Sequence, residues 1–155
     1  MGTAKALLPL AGRTFVEAVA EALDGVAGEI VLLGAGLVPK PLERLRRLAD
    51  APGVDGPLGG VLAALRSEPG ADWLVAACDQ PLLTEEAVSW LVAEAGRSEA
   101  VALLARREPS RVEPFPGFFA RASLPLVEAL AARGDRKSTR LNSSHNGQSR
   151  MPSSA

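Results

Sequence analysis

The sequence predicts an α/β fold, a mostly parallel sheet between two layers of helices, on three observations. Short apolar runs alternate with helical patterns from Met1 to Gly134, glycines and prolines punctuate the junctions, and an aspartate closes the most apolar run of all. Alternation of this kind favours parallel strands joined by crossover helices.

The elements follow in order. Thr14 with Glu17 three residues later forms a capping box, and Phe15, Val16, Val19, Ala20 and Leu23 share one helical face. Glu29 to Leu33 is a short apolar run closed by Gly34 and Gly36, as expected of a buried parallel strand. Pro41 to Ala49 sets Leu42, Leu45 and Leu48 on one side with arginines opposite, which predicts a second helix. Val61 to Leu65 continues GPLGG as a third helix, and Trp73 to Cys78 is the best buried strand. Thr84 caps the next helix, Glu85 and Glu86 suit its positive first turn, and Gly96 is its expected terminator. Ala100 to Ala105 and Gly117 to Ala120 read as strands, and Ser123 to Arg133 as a last amphipathic helix.

Composition narrows the function classes. With 155 residues and 47% hydrophobic content the chain supports one domain with a core. A net charge of -1 without a basic stripe argues against a nucleic-acid surface. No apolar run reaches the roughly 18 residues that span a bilayer, and no secretory signal opens the chain, so a cytoplasmic setting away from membranes is expected. A lone cysteine, Cys78, cannot form an internal disulfide and reads as a small buried hydrophobe.

The stretch from Asp135 to Ala155 departs from everything before it. Asp135 to His145, DRKSTRLNSSH, resembles codon for codon the translation of a short-read sequencing adapter, and Gln148 to Ala155, QSRMPSSA, resembles its other half. Asn146, Gly147 and part of Gln148 then occupy a gap of roughly eight bases, the size of an index. We therefore read 1–134 as the domain and 135–155 as a non-native tail expected to be disordered, and set aside His145, the only histidine.

Three features carry chemistry. Lys5 precedes an apolar run and a capped helix; on its own such a lysine is usually just solvated. Asp50 and the segment APGVDGPLGG set glycines and a proline before a helix, where backbone can approach a ligand and a helix start offers amides to anions; the alternative is an ordinary tight loop. CDQP puts Asp79 beyond the carboxyl end of a strand, where open α/β sheets gather ligands, so that it could hold a divalent cation; the alternative is a turn aspartate that stabilises the Gln80–Pro81 corner.

Taken in order, Met1, Gly2 and Lys5 with ALLPLAGRT, then Asp50, GPLGG, CDQP and VEPFPGFFARASLPLVEAL from Val112 to Leu130, resemble the molybdenum cofactor guanylyltransferase family of the nucleoside-triphosphate transferase superfamily. The family commonly has aspartate just before its lysine, where this chain has Ala4. The resemblance implies a Rossmann-like three-layer nucleotidyltransferase domain, incomplete at both ends: the first strand and most of the glycine-rich loop would precede Met1, the tail would replace the final segment, and the chain as it stands is expected to be inactive. It also implies transfer of guanylate from GTP to molybdopterin with release of pyrophosphate, Mg²⁺ as cofactor, and transient contact with molybdoenzymes or cofactor-biosynthesis proteins.

By the same resemblance, Lys5 and Asp79 are catalytic, Asp79 is the metal ligand, and Lys5, Asp50, Gly56, Pro57, Leu58, Gly59, Gly60 and Asp79 bind the nucleotide. Lys5 would neutralise triphosphate charge, while Asp50 and GPLGG would meet the guanosine part. Two alternatives stand beside this reading: transfer of cytidylate from CTP to the same cofactor, towards which CDQP and the missing acidic residue before Lys5 lean, and a non-catalytic nucleotide-binding remnant.

Overall fold

Local sequence rules govern the first turn of the computed structural model, which describes residues 5–98, 102–108 and 111–133. A turn of 3-10 helix at Lys5–Leu7 leads into β1 (Pro9–Leu10), which pairs antiparallel with β2 (Arg13–Thr14). Ala11 and Gly12 both take positive φ (49° and 86°), as a two-residue hairpin of right-handed strands demands. Helix α1 (Phe15–Asp24) then starts on the expected capping box: Glu17 N–H donates to Thr14 Oγ1 (3.4 Å), and Thr14 N–H donates to Glu17 Oε2 (2.7 Å).

Strand β3 (Val31–Leu33) forms where the apolar run predicts it. The segment that follows corrects the expected helix at Pro41 to Ala49. Only Lys40–Leu42 turns, as a short 3-10 helix, and Arg46–Leu48 is a strand, β4, parallel to β3 with Val31 opposite Arg46 and Leu33 opposite Leu48. Long-range partners decide it. The Arg47 guanidinium donates to the Gly36 carbonyl (2.7 Å), and Arg46 pairs with Glu68, the C-cap of the helix that follows. A helix would give those contacts up.

Helix α2 spans Pro57–Ser67, with Pro57 in its first turn and seven buried residues. Strand β5 (Trp73–Val75) is shorter than the run to Cys78, and helix α3 (Glu85–Arg97) begins on Thr84, whose Oγ1 accepts from Ala87 N–H (3.2 Å). Gly96 does not end α3, whose last residue is Arg97 and whose C-cap is Ser98. Strand β6 (Ala102–Glu108) and strand β7 (Arg111–Phe119) form an antiparallel pair, and helix α4 (Leu124–Ala132) completes the described chain.

The α/β class holds, but the pairing is mixed, not mostly parallel. The three-stranded sheet has the order β5-β7-β6 with β7 antiparallel to both neighbours, and β3 and β4 form the parallel pair. Strand β7 also corrects the short strand expected at Gly117 to Ala120. Its register jumps between Leu104↔Gly117 and Ala105↔Glu113, so Pro114, Phe115 and Pro116 bulge out of the ladder. Proline lacks the donor a ladder needs, so excluding both prolines lets a long strand form around them.

The core sits between this sheet and one helical layer. Alternate residues Trp73, Val75 and Ala77 join Leu62 and Leu65 of α2, Phe115 and Phe119 of β7, and Val127 of α4. Helices α1 and α3 pack together and bury Ala18, Val19, Val88 and Leu91 outside that cluster, giving helices on two sides. Among the described residues, no helix is long and apolar enough to cross a membrane.

Candidate functional site

Asp79 lies just past the end of β5, and its position is fixed by its neighbour. Gln80 Oε1 accepts from Ala77 N–H (3.1 Å), while Gln80 Nε2 donates to the Phe115 carbonyl (2.8 Å) in the β7 bulge. Backbone bonds from Gln80 N–H to Ala77 O (3.2 Å) and from Leu83 N–H to Gln80 O (3.0 Å) complete the corner. The corner is therefore tied by Gln80, not by the Asp79 carboxylate. That carboxylate faces Lys5, with Nζ 3.7 Å from Oδ2.

The pair is asymmetric: the Lys5 side chain is 57% exposed and that of Asp79 only 15%. An ion pair open on one side contributes roughly 0–1 kcal/mol net, so it yields readily to a ligand that offers each partner a stronger contact. Cys78 is a correction. It is exposed, not a buried hydrophobe. Its thiol is nevertheless held above its usual range, first by partial desolvation against the strand and then by the Asp79 charge, with Lys5 acting weakly the other way. Lys5, Cys78 and Asp79 thus share one electrostatic neighbourhood.

Asp50 organises a second group. A Cβ placed on Gly34, which has φ +89°, would lie 3.8 Å from Asp50 Oδ1, and one on Gly60 would lie 3.4 Å from the same oxygen. The carboxylate therefore rests over two glycines, from the end of β3 and the start of α2. Gly59 is tighter: its Cβ would approach the Val54 carbonyl to within steric overlap, at 2.4 Å. Gly56 has φ +72° and caps α2. The glycines are needed for the turn itself.

The helix start offers fewer donors than the sequence suggests. Pro57 has no N–H, and Gly59 N–H donates to the Gly56 carbonyl (3.0 Å). The Leu58 side chain is buried in the core. Gly34 and Gln80 were not singled out from the sequence as site residues; the positive φ of one and the two side-chain bonds of the other are visible only in three dimensions.

A cavity of about 850 Å³ links the two groups, lined by Asp50, Gly56, Pro57 and Gly60 at one part and by Cys78, next to Asp79, at another. Among the described residues no three His, Cys, Asp or Glu side chains converge as a metal cage. The donor set suits Mg²⁺ all the same, because that ion keeps several waters and is commonly held by one or two carboxylates together with substrate phosphates. Asp79, little exposed and beside a cation, is the carboxylate that fits.

Residues 1–148 match the family described as MobA-like NTP transferase domain. The molybdenum cofactor biosynthesis bifunctional protein of Synechocystis is 31% identical over 86 residues, 56% of this chain and 25% of that protein, so the chain spans a quarter of this curated relative. Among solved structures, molybdopterin-guanine dinucleotide biosynthesis protein A of Archaeoglobus fulgidus has a TM-score of 0.67 at 23% identity, over 87% of this chain and 68% of its own. A hypothetical transferase from Thermus thermophilus has 0.62 at 27%, over 88% and 66%. The 2-C-methyl-D-erythritol 4-phosphate cytidylyltransferase of Thermus thermophilus has 0.56 at 24%, over 84% and 72%.

Proposed function

The chain belongs to the MobA-like NTP transferase domain family, and from that premise we propose that the intact protein transfers guanylate from GTP to the terminal phosphate of molybdopterin. An acceptor phosphate oxygen attacks the α-phosphorus, a new phosphoanhydride forms, and the bond to the β-phosphate breaks to release pyrophosphate. The observation that carries the reading is the Lys5–Asp79 pair beyond the end of β5. A cation and a carboxylate 3.7 Å apart divide the work of a triphosphate site.

Lys5 neutralises phosphate charge, and its exposed stem lets the ammonium move to the ligand. Asp79, held by the Gln80 corner, keeps its carboxylate in one place without reorganisation, which is the condition for electrostatic preorganisation. Mg²⁺ bound at Asp79 would draw charge from the phosphates as a Lewis acid. Asp50 and the glycine turn would position the nucleoside, with backbone rather than side chains making the close approach. The names of the Synechocystis and Archaeoglobus relatives support the molybdenum-cofactor substrate.

A second reading, transfer of cytidylate from CTP, is favoured by Gln80 within CDQP and by the fold shared with a cytidylyltransferase. Titration of GTP and of CTP, with and without Mg²⁺, into the intact protein, restored at both ends, and its Asp79→Ala variant separates the readings. Mg²⁺-dependent GTP binding weakened about tenfold or more, ~1.4 kcal/mol, in the variant is the expected result. Preference for CTP selects the cytidylyl reaction. No Mg²⁺-dependent binding of either nucleotide leaves a non-catalytic remnant.

A further inference from the structure

The turn that leaves β3 is made of small residues and held by one side chain. Residues 34–36 read Gly-Ala-Gly, and Gly34 takes φ +89°, a left-handed conformation that glycine adopts without strain. The Gly34 N–H donates to the Leu48 carbonyl (2.8 Å), which anchors the start of the turn to β4. Its carbonyls are tied from outside. Nη2 of Arg47, also in β4, donates to the Gly36 carbonyl (2.7 Å) and more weakly to the Gly34 carbonyl (3.4 Å), so one guanidinium closes the turn across its width.

Two observations set Arg47 apart from an ordinary surface arginine. Its neighbour Arg46 is spent on Glu68 and Glu29, whereas among the described residues no carboxylate pairs with Arg47. Its hydrogen bonds go to the turn alone. The turn in its turn belongs to the site: Gly34 lines the cavity with Asp50, Gly56 and Gly60, and a Cβ on Gly34 would stand 3.8 Å from Asp50 Oδ1. Arg47 itself lies outside that lining.

We propose that Arg47 is a positioning residue for the nucleoside, fixing one wall of its subsite by holding the 34–36 turn against Asp50 without touching the ligand. The inference rests on the reading above, in which Asp50 and the glycines position the nucleoside. A turn with two glycines has much backbone freedom to lose, and ordering it before the ligand arrives removes that cost from binding. Affinity rises by preorganisation. Both hydrogen bonds are exposed and their removal strands no partner charge, so the fold should be nearly as stable without them.

The test measures binding of guanosine, and of GTP with Mg²⁺, to the intact protein, restored at both ends, and to its Arg47→Ala, Arg47→Lys and Arg46→Ala variants, with urea midpoints beside them. Arg47→Ala is expected to weaken guanosine and GTP by the same factor, roughly three- to tenfold, at an unchanged midpoint. Hydrogen exchange at residues 34–36 should quicken in that variant and slow again when GTP is added. Arg47→Lys, which keeps a donor on its stem, should recover part of the loss, and Arg46→Ala, which removes the same charge one residue away, should leave both affinities unchanged. A loss confined to GTP would make Arg47 a phosphate contact, and unchanged affinities in Arg47→Ala would leave the turn without influence; either overturns the proposal. So would a loss that tracks a fall in the midpoint, which is a structural role alone, or a protein that binds GTP but not guanosine, which has no nucleoside subsite to position. Binding of neither ligand by the unsubstituted protein would sink the nucleotide reading first, and this inference with it.

Discussion

Gln80 carries more of the site's geometry than its charged neighbours. One side chain ties the end of β5 to the β7 bulge through two hydrogen bonds of 3.1 and 2.8 Å. Gln80→Ala leaves the partly buried Ala77 N–H and Phe115 carbonyl without that partner and is expected to cost about 1–3 kcal/mol in urea denaturation. Nucleotide affinity should fall with it, because Asp79 loses its fixed backbone. Cys78 provides an independent probe of the neighbouring charges. Since desolvation and then Asp79 raise its pKa, its thiolate forms at higher pH than an ordinary thiol's, and iodoacetamide should alkylate it slowly near neutrality. Asp79→Asn removes a cause of the rise and should speed alkylation at fixed pH, whereas Lys5→Ala should slow it. Equal rates in all three proteins would show that Lys5, Cys78 and Asp79 do not share one electrostatic neighbourhood. The residue types at the site were legible in the sequence, since Lys5 and Asp79 were each singled out there; that they stand 3.7 Å apart is visible only in the fold. The Gln80 role was not, because a turn glutamine has no sequence mark that distinguishes a double clamp from a solvated side chain.

Among the elements, those written by local rules were legible and those set by distant partners were not. The α1 start is local: Thr14 and Glu17 satisfy each other, and these bonds hold the Glu17 carboxyl below its usual range. A depressed carboxyl pKa stabilises the fold above the unfolded value, and the contribution disappears as pH falls through the folded one. Stability should therefore drop on acidification, and Glu17→Gln should flatten that part of the curve in thermal melts between pH 6 and pH 3. Strand β4 is the opposite case. Leu42, Leu45 and Leu48 recur at a helical spacing, yet Arg46 and Arg47 find their partners at Glu68, Gly34 and Gly36 and the segment pairs with β3. Glycines divide in the same way. In α3, Gly96 has open space around its Cβ, so Gly96→Ala should stabilise by up to about 1 kcal/mol. Gly59, in α2, is pressed against the Val54 carbonyl, and Gly59→Ala should cost about 1–3 kcal/mol by overpacking. Two melting curves with opposite shifts would bear out both packings.

At the scale of the whole molecule, the α/β class followed from alternation, but the direction of pairing did not. Alternation records which segments are apolar; it cannot record that β7 returns between β5 and β6, because that order depends on contacts far apart in sequence. The extent of the domain poses the sharper question. The family match runs to residue 148, whereas the adapter-like composition begins at Asp135, so 14 residues, 135–148, are assigned in two incompatible ways. The described core reaches its last buried residue at Val127, in α4, with Leu130 and Ala131 packed against it. If 135–155 is a non-native tail, deleting it leaves the urea midpoint and its slope unchanged, because no apolar surface leaves the core and the area exposed on unfolding within the cooperative unit stays the same. If the family match reflects native packing up to 148, the same deletion lowers both, the midpoint through lost burial and the slope through a smaller cooperative unit. The slope is the decisive quantity, since a merely destabilising truncation moves the midpoint alone.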